Sequence, residues 1–305
     1  MNKIFAFITL SSLLLTVSCG NESNGSEPAP PTPAGPKPGE KIEIKINPAV
    51  NDTRATDFGF ESGDKIGIYV VNYSGTTPGS LKNTGNHVDN MCFTYSGTWT
   101  PTTPIYWLDN NTHADFYLYY PFISSIESTD ALPFELKNDQ SLEADYKACD
   151  FMMGKTSDIA PTETAVTIGA DHLMSRMVIS LEAGNGFTKE SLAAANIQVK
   201  INGIRTQSLI NIANATVIAS GEPTSITPFK DNSAYKALIV PQKVEECSLI
   251  SVSVDGREFN LKKGFTFESG KSHNFTVTLS KTSNGINVNI NPWNEDDIDN
   301  GGTAE

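Results

Sequence analysis

Short runs of β-branched and aromatic residues recur along this chain, separated by Gly, Pro, Asn and Asp. In 42–46 three isoleucines alternate with Glu and Lys, the period of a strand with one buried face, and Pro48 is expected to end that strand. Strands this short and this regularly spaced predict an all-β, sandwich-like fold rather than βαβ units. The predicted strands lie near 41–48, 65–73, 104–107, 115–121, 164–169, 174–182, 197–203, 235–240, 248–254, 257–261, 272–280 and 286–291.

The folded part is long enough for two cores. Excluding 1–40 from the 305 residues leaves about 265, or roughly 130 residues for each core. A polar stretch, 156–163, predicts a boundary, which divides the body into 41–160 and 161–293 and leaves an acidic tail at 294–305. A single helix is predicted over 188–195, where Thr188 is the expected cap and a run of alanines favours helix. The expected fold is therefore two β-domains in tandem with at most one or two short helices.

The amino terminus has the pattern of an export signal. Lys3 precedes an apolar run over 4–15, small residues follow at 16–18, and Cys19 comes next. The apolar run is too short to span a hydrocarbon core of ~30 Å. The pattern resembles a lipobox, which predicts a signal peptide at 1–18 and a lipid, such as palmitate, on Cys19; an ordinary secretory signal is the alternative. Residues 19–40 are rich in proline and predict a stalk of ~60 Å.

The charge and the motifs argue against several functions. The net charge of −13, from 22 basic and 35 acidic residues, gives no electrostatic footprint for nucleic acid. The four histidines are scattered and no nucleophile elbow or phosphate-binding loop occurs, so neither a metal site, a cofactor nor an enzyme is predicted. The acidic tail has only part of a calcium-loop spacing. Cys92, Cys149 and Cys247 allow at most one disulfide or three free thiols.

The two ends of the body carry similar strands. Ile42, Ile44 and Ile46 lie on one face of the first strand, and both strands end in Asn-Pro. Because backbone pairing does not depend on sequence, the two strands are predicted to be able to fill the same edge groove. The alternative is that any two amphipathic strands look alike over seven residues. The matching face of the last strand is formed by Ile286, Val288 and Ile290.

Arg54 lies in a polar joint and is followed by Ala55. A trypsin-like protease that cuts there would release the lipid, the stalk and the first strand together. The loss would leave unpaired backbone groups and an apolar slot, which a partner strand can complete.

Several motifs in order make the chain resemble the fimbrillins, the pilin-type surface lipoproteins of Bacteroidales. The motifs are Thr-Arg-Ala at 53–55, FESGDKIGIY at 60–69, Tyr-Tyr-Pro at 119–121, DHLMSRMVI at 171–179, Val-Pro-Gln at 240–242 and INPW at 290–293. They span nearly the whole body, and each is weak alone.

The resemblance implies two transthyretin-like β-sandwich domains and export to the outer surface. It also implies that an arginine-specific protease removes the first strand, with Arg54 as the matching position, and that subunits then assemble by donor-strand exchange. Since little except the acidic tail follows Trp293, a tip or accessory subunit is expected.

The function expected from the resemblance is cell adhesion without enzymatic activity. The expected partners are other fimbrial subunits, the protease, outer-membrane lipid and a host or bacterial surface ligand. The alternative is an outer-membrane-anchored lipoprotein that binds glycans through aromatic rings such as Trp99 or Trp107.

Overall fold

The computed structural model describes residues 41–50 and 60–281, together with the backbone of two short strands, Asn291–Pro292 and Gly302–Ala304. These residues belong to one compact unit, Glu40–Glu305. The described part is built from β-strands with two short helices, so the all-β prediction is confirmed. None of its helices has the length and apolar character needed to cross a membrane.

A seven-stranded sheet forms the amino-terminal half, in the order β1-β8-β7-β5-β2-β3-β4. The pairing is antiparallel throughout except between β1 and β8, which run parallel. The strands are β1 (Ile46–Val50), β2 (Lys65–Asn72), β3 (Val88–Tyr95), β4 (Trp99–Pro101), β5 (Ala114–Tyr120), β7 (Met152–Ile159) and β8 (Val166–His172).

The central strands β2 and β5 are buried on both faces, because both consist mostly of apolar and aromatic residues. Alternate residues point to opposite sides, so the sheet separates two cores. Ile68 and Leu118 face an outer core that also contains Ile44 and Ile46. Tyr69, Val71 and Tyr119 face the central core.

A three-stranded sheet and a helix cover the central core. The order is β12-β11-β6, so a strand from the first half of the chain pairs with one from the second. Leu132 and Ile210 pack from this sheet, and Tyr146 packs from the helix. The elements are β6 (Leu132–Glu135), α1 (Glu143–Lys147), β11 (Gln207–Asn211) and β12 (Thr216–Ser220).

Two sheets enclose the third core in the carboxyl-terminal half. One is four-stranded, in the order β13-β10-β16-β17, and the other follows β14-β15-β9-β18-β19, with β20 also paired to β18. Large apolar side chains such as Phe259, Phe267 and Phe275 fill the space between them. The strands are β9 (Ser175–Ala183), β10 (Ile197–Ile204), β13 (Thr224–Ile226), β14 (Phe229–Asp231), β15 (Ala234–Ile239), β16 (Gln242–Val254), β17 (Arg257–Phe267), β18 (Ser272–Leu279), β19 (Asn291–Pro292) and β20 (Gly302–Ala304).

The predicted helix is confirmed as α2 (Lys189–Ala194). Thr188 caps it: its side chain accepts a bond from the backbone N–H of Ser191, and the Ser191 side chain accepts one from the N–H of Thr188. This reciprocal capping satisfies two backbone donors that the first turn leaves without a helical partner.

Three features differ from the sequence expectations. β1 does not end at Pro48 but continues to Val50, because an edge strand tolerates proline where its missing N–H would face away from the ladder. The seven-stranded sheet continues to His172, beyond the expected boundary at 160. Gly302–Ala304, expected to be part of a solvated tail, pairs in parallel with β18.

Candidate functional site: the first strand and its groove

The first strand lies between two segments of the amino-terminal half. On one side the N–H of Ile44 donates to the carbonyl of Ile105 at 2.9 Å, and the N–H of Trp107 donates to the carbonyl of Ile42 at 2.9 Å. On the other side the N–H of Val166 donates to the carbonyl of Lys45 at 2.8 Å. Five parallel pairs between β1 and β8 continue this contact, from Ile46↔Val166 to Val50↔Ala170.

The predicted apolar face of this strand is the face that enters the core. Ile44 and Ile46 are buried, and Ile42 is half-buried against the same cluster. Their alternation with exposed Glu43 and Lys45 explains the orientation, because a strand with one apolar face buries that face. Removing the strand would therefore expose both backbone groups and an apolar groove.

The two described residues that flank segment 51–59 lie at one cleft. Val50, the last residue of β1, and Phe60 both line it, together with Tyr120, Met152 and Met174. Arg54 belongs to the segment that joins Val50 to Phe60. The covalent link between β1 and the rest of the body therefore begins and ends at this cleft.

Charged groups also converge on the cleft, which the sequence did not predict. The Nζ atom of Lys147 lies 2.7 Å from Glu61 and 2.8 Å from Glu143, and these two bonds raise the pKa of the lysine. The Nδ1 atom of His172 lies 2.7 Å from a carboxylate oxygen of Asp150. The pairs Lys147–Glu61 and His172–Asp150 join residues distant in sequence, which is why pattern reading missed them. The first pair connects α1 with the turn before β2, and the second connects β8 with the residues that follow α1.

The acidic and histidine side chains described at the cleft are not grouped as metal ligands. In the described ranges, no three His, Cys, Asp or Glu side chains are grouped so as to hold a metal ion. Cys149, near the end of α1, is fully buried, and burial raises the pKa of its thiol to about 11. A thiol with this pKa is a poor nucleophile at neutral pH.

The three cysteines of the folded body occur as free thiols. Cys92 and Cys247 are half-buried and Cys149 is buried. Of the two possibilities left open by the sequence, the structure has three unpaired thiols.

The aromatic rings proposed as a sugar platform are packed instead. Trp107 is 3% exposed, donates from its indole nitrogen to the carbonyl of Thr162, and meets Phe116 edge to face with centroids 5.4 Å apart. Trp99 is half-buried and packs on Phe60, with centroids 5.0 Å apart. Trp107 is a core residue, so its proposed role as a glycan platform is wrong.

Several predicted site residues lie outside the described residues. These are the lipid-attachment residue Cys19, the cleavage residues Arg54 and Ala55, and the three apolar residues of the closing strand, Ile286, Val288 and Ile290. Asn291–Pro292, which follow that strand, pair antiparallel with His273 and Asn274 of β18.

Comparisons with known proteins agree with this fold. The fimbrillin-like family model matches residues 53–293. A protein of Bacteroides uniformis named "Putative fimbrium subunit Fim1C" is 22% identical over 299 residues, which cover 93% of this chain and 94% of that protein.

Solved structures share the architecture. One described as a "putative cell adhesion protein" from Bacteroides uniformis has a TM-score of 0.63 at 20% identity and covers 83% of this chain and 99% of its own. A fimbrial protein from Bacteroides ovatus has a TM-score of 0.52 at 20% identity, over 84% of this chain and 55% of its own. At these identities the likeness establishes the fold alone. The family match extends over most of the chain, and the chain belongs to the fimbrillin-like family.

Proposed function

We propose that the chain is a non-enzymatic subunit of a cell-surface fimbrium, assembled by strand exchange after cleavage at Arg54. The observation that carries the proposal is the position of the first strand. It fills an apolar groove with Ile44 and Ile46, yet it is joined to the body only through segment 51–59. A strand held in this way can be replaced by one from another subunit, because the backbone bonds of the groove accept any extended chain.

The distribution of arginine supports Arg54 as the processing site. The chain has three other arginines, and all lie in or next to strands: Arg176 in β9, Arg205 between β10 and β11, and Arg257 at the start of β17. Proteases bind their substrates as extended chains, so residues held in a sheet are cut slowly. Arg54 lies in a polar joint outside the described strands.

Export as a lipoprotein is the second part of the proposal. The pattern that ends at Cys19 supports it, and the proline-rich stretch 20–40 would hold the body away from the outer membrane. Cleavage at Arg54 would then free the subunit from its anchor. Labelled palmitate should enter the wild-type chain but not a Cys19→Ala variant.

A tip or accessory position is the third part. Asn291–Pro292 and Gly302–Ala304 pair with β18 of the same chain, so these segments already have a partner within the subunit. Because both segments are paired within the subunit, neither is available as a donor strand for another subunit.

The test uses the full chain and an arginine-specific protease. We expect a new amino terminus at Ala55, identified by mass spectrometry, while the cut strand stays bound until a competing strand replaces it. A peptide of residues 286–292, added in molar excess over the amino-terminal fragment that ends at Arg54, should then replace that fragment in the groove of the cleaved chain. The matched control is Arg54→Lys, which keeps the charge but removes the cleavage site.

Two results would contradict the proposal. Cleavage at Arg176, Arg205 or Arg257 before Arg54 would reject the processing site. A chain cut at Arg54 that retains its first strand against a large excess of peptide would reject exchange.

A further inference from the structure

The strand β12 forms an open edge of the three-stranded sheet. It pairs with β11 on one side, from Gln207↔Ser220 to Asn211↔Thr216, and no other described strand pairs with it. An edge strand presents unpaired N–H and C=O groups, which are a template for another strand.

β12 lacks the features that block the other edges. Folded proteins protect such edges with charged residues, proline or very short strands. β12 reads Thr-Val-Ile-Ala-Ser over five residues, with neither charge nor proline. Each of the other outer strands whose side chains are described has at least one of these features. Proline occurs in β1 (Pro48), β4 (Pro101) and β6 (Pro133), and β13 is only three residues long and follows Pro223. Charged residues occur in β6 (Glu135), β14 (Lys230, Asp231) and β17 (Arg257, Glu258, Lys262, Lys263).

The exposed face next to this edge is apolar. Ile218 of β12 is 67% exposed and lies opposite Leu209 of β11, which is 40% exposed. Leu209 in turn lies opposite the exposed Pro133 of β6. The three form one apolar row across the sheet, which ends at the open edge. The other face of β12 is already used, because Val217 and Ala219 pack on the central core.

We propose that β12 is a self-association edge that pairs antiparallel with β12 of a second copy of this chain. A two-fold axis would place Ile218 opposite its own copy, and the apolar row would continue across six strands. The same register places Val217 opposite Ala219 and Thr216 opposite Ser220, so a branched side chain meets a small one and hydroxyl meets hydroxyl.

The register argues for a second copy as the occupant, because the five residues of β12 complement one another about the two-fold axis. The net charge of −13 on each chain opposes contact between two copies, so contact is favoured only where no like charges meet. β12 carries no charged residue. Extending the two-fold register beyond the strand places Glu222 opposite Asn214, so the nearest carboxylate meets an amide rather than another carboxylate.

The association is tested by sedimentation velocity of the full chain in mild detergent over a range of concentrations. We expect a reversible monomer–dimer equilibrium. Ile218→Lys should raise the dimer dissociation constant by about 100-fold or more, because two ammonium groups would face each other across the axis. The matched control is Leu142→Lys, because Leu142 is 65% exposed and precedes α1 rather than belonging to the three-stranded sheet. The dissociation constant of this variant should not change.

A second measurement locates the contact. Ile218→Cys should form a disulfide between two copies under mild oxidation, identified as a peptide pair joined through position 218, whereas Leu142→Cys should not. A wild-type chain that stays monomeric up to about 1 mM overturns the proposal, as does a dimer that Ile218→Lys leaves intact. The inference does not depend on cleavage at Arg54, so either proposal can fail without the other.

Discussion

The strands β1 and β18 both run parallel to a neighbour, but they are held in different ways. β1 makes five pairs with β8 at the outer edge of its sheet, and within its bounds only Ile46 is fully buried. β18 makes eight pairs with β9, is also paired by β19 and β20, and buries every second side chain from His273 to Leu279. The first fills a groove at the edge of its sheet, and the second is paired on both sides within its sheet.

The difference shows which strand can be exchanged. A strand at an edge can leave without breaking the ladder between other strands, because it pairs with few neighbours. Removing β18 would separate β9 from the strands beyond it and open the third core. The comparison therefore supports β1, rather than β18, as the removable element, and the predictions below test that contrast.

The largest effect is expected at Phe275 in β18. The side chain is 1% exposed and meets Phe265 with centroids 5.0 Å apart. Phe275→Ala should lower the free energy of unfolding by about 3–5 kcal/mol, because it removes a buried ring and leaves a cavity. Urea denaturation measures the loss, and an added strand peptide should not restore it. A loss below about 1 kcal/mol would show that β18 is not a core strand.

A smaller and conditional effect is expected at Ile44. In the uncut chain Ile44→Ala should lower the free energy of unfolding by about 2–4 kcal/mol, since the side chain is buried in the outer core. The neighbouring Lys45→Ala, which changes an exposed side chain, is the control and should cost less than about 0.5 kcal/mol.

The conditional part of this prediction separates the two strands. After cleavage and replacement by a donor peptide, the Ile44→Ala and wild-type chains should have the same stability, because the altered strand has gone. If the difference persists after exchange, the first strand was never released.

The smallest expected effect is a pH dependence of the free energy of unfolding, which arises from His273 in β18. The ring is buried beside Phe265 and Phe267, and desolvation lowers its pKa, against a weaker opposing effect of Glu268. The unfolded chain therefore binds a proton that the folded chain does not. Stability is fully present above the unfolded pKa of ~6.5 and falls as the pH drops from there toward the folded pKa.

Replacing His273 tests the direction of this pH dependence. Chemical denaturation of His273→Phe at a series of pH values should show a weaker loss of stability on acidification than the wild-type chain. His87→Phe is a suitable control, because His87 lies in the loop before β3 and not in the third core. A steeper loss for His273→Phe would contradict the prediction.

Much of the architecture could be predicted from the sequence, but several strands could not. β2 and β5 were recognisable as long apolar runs, and Thr188 as a helix cap. β3 and β7 were missed, because their sequences do not alternate regularly. Asn90 in β3 and Asp158 in β7 have φ angles of 43° and 59°, and the ladders shift register between Ile68 and Val70 and between Ala114 and Phe116. Such bulges interrupt the period of two on which strand recognition depends.

The candidate site divides in the same way. The alternation of Ile42, Ile44 and Ile46 was enough to predict which face of the first strand is buried. The groove itself could not be predicted, because its walls come from the stretch around Ile105 and from β8, which are far apart in sequence. The ion pairs of the cleft depend on the same long-range contacts.

The sequence by itself determined the strand-rich fold and the buried face of the first strand, because these depend on local periodicity and composition. The export signal stays a prediction from the same kind of local pattern. The tertiary structure decided that β1 lies at an edge in parallel with β8 and that β18 lies within its sheet. It also decided that β12 is open at one edge. These properties belong to pairs of segments distant along the chain, and no local pattern encodes which strand becomes whose neighbour.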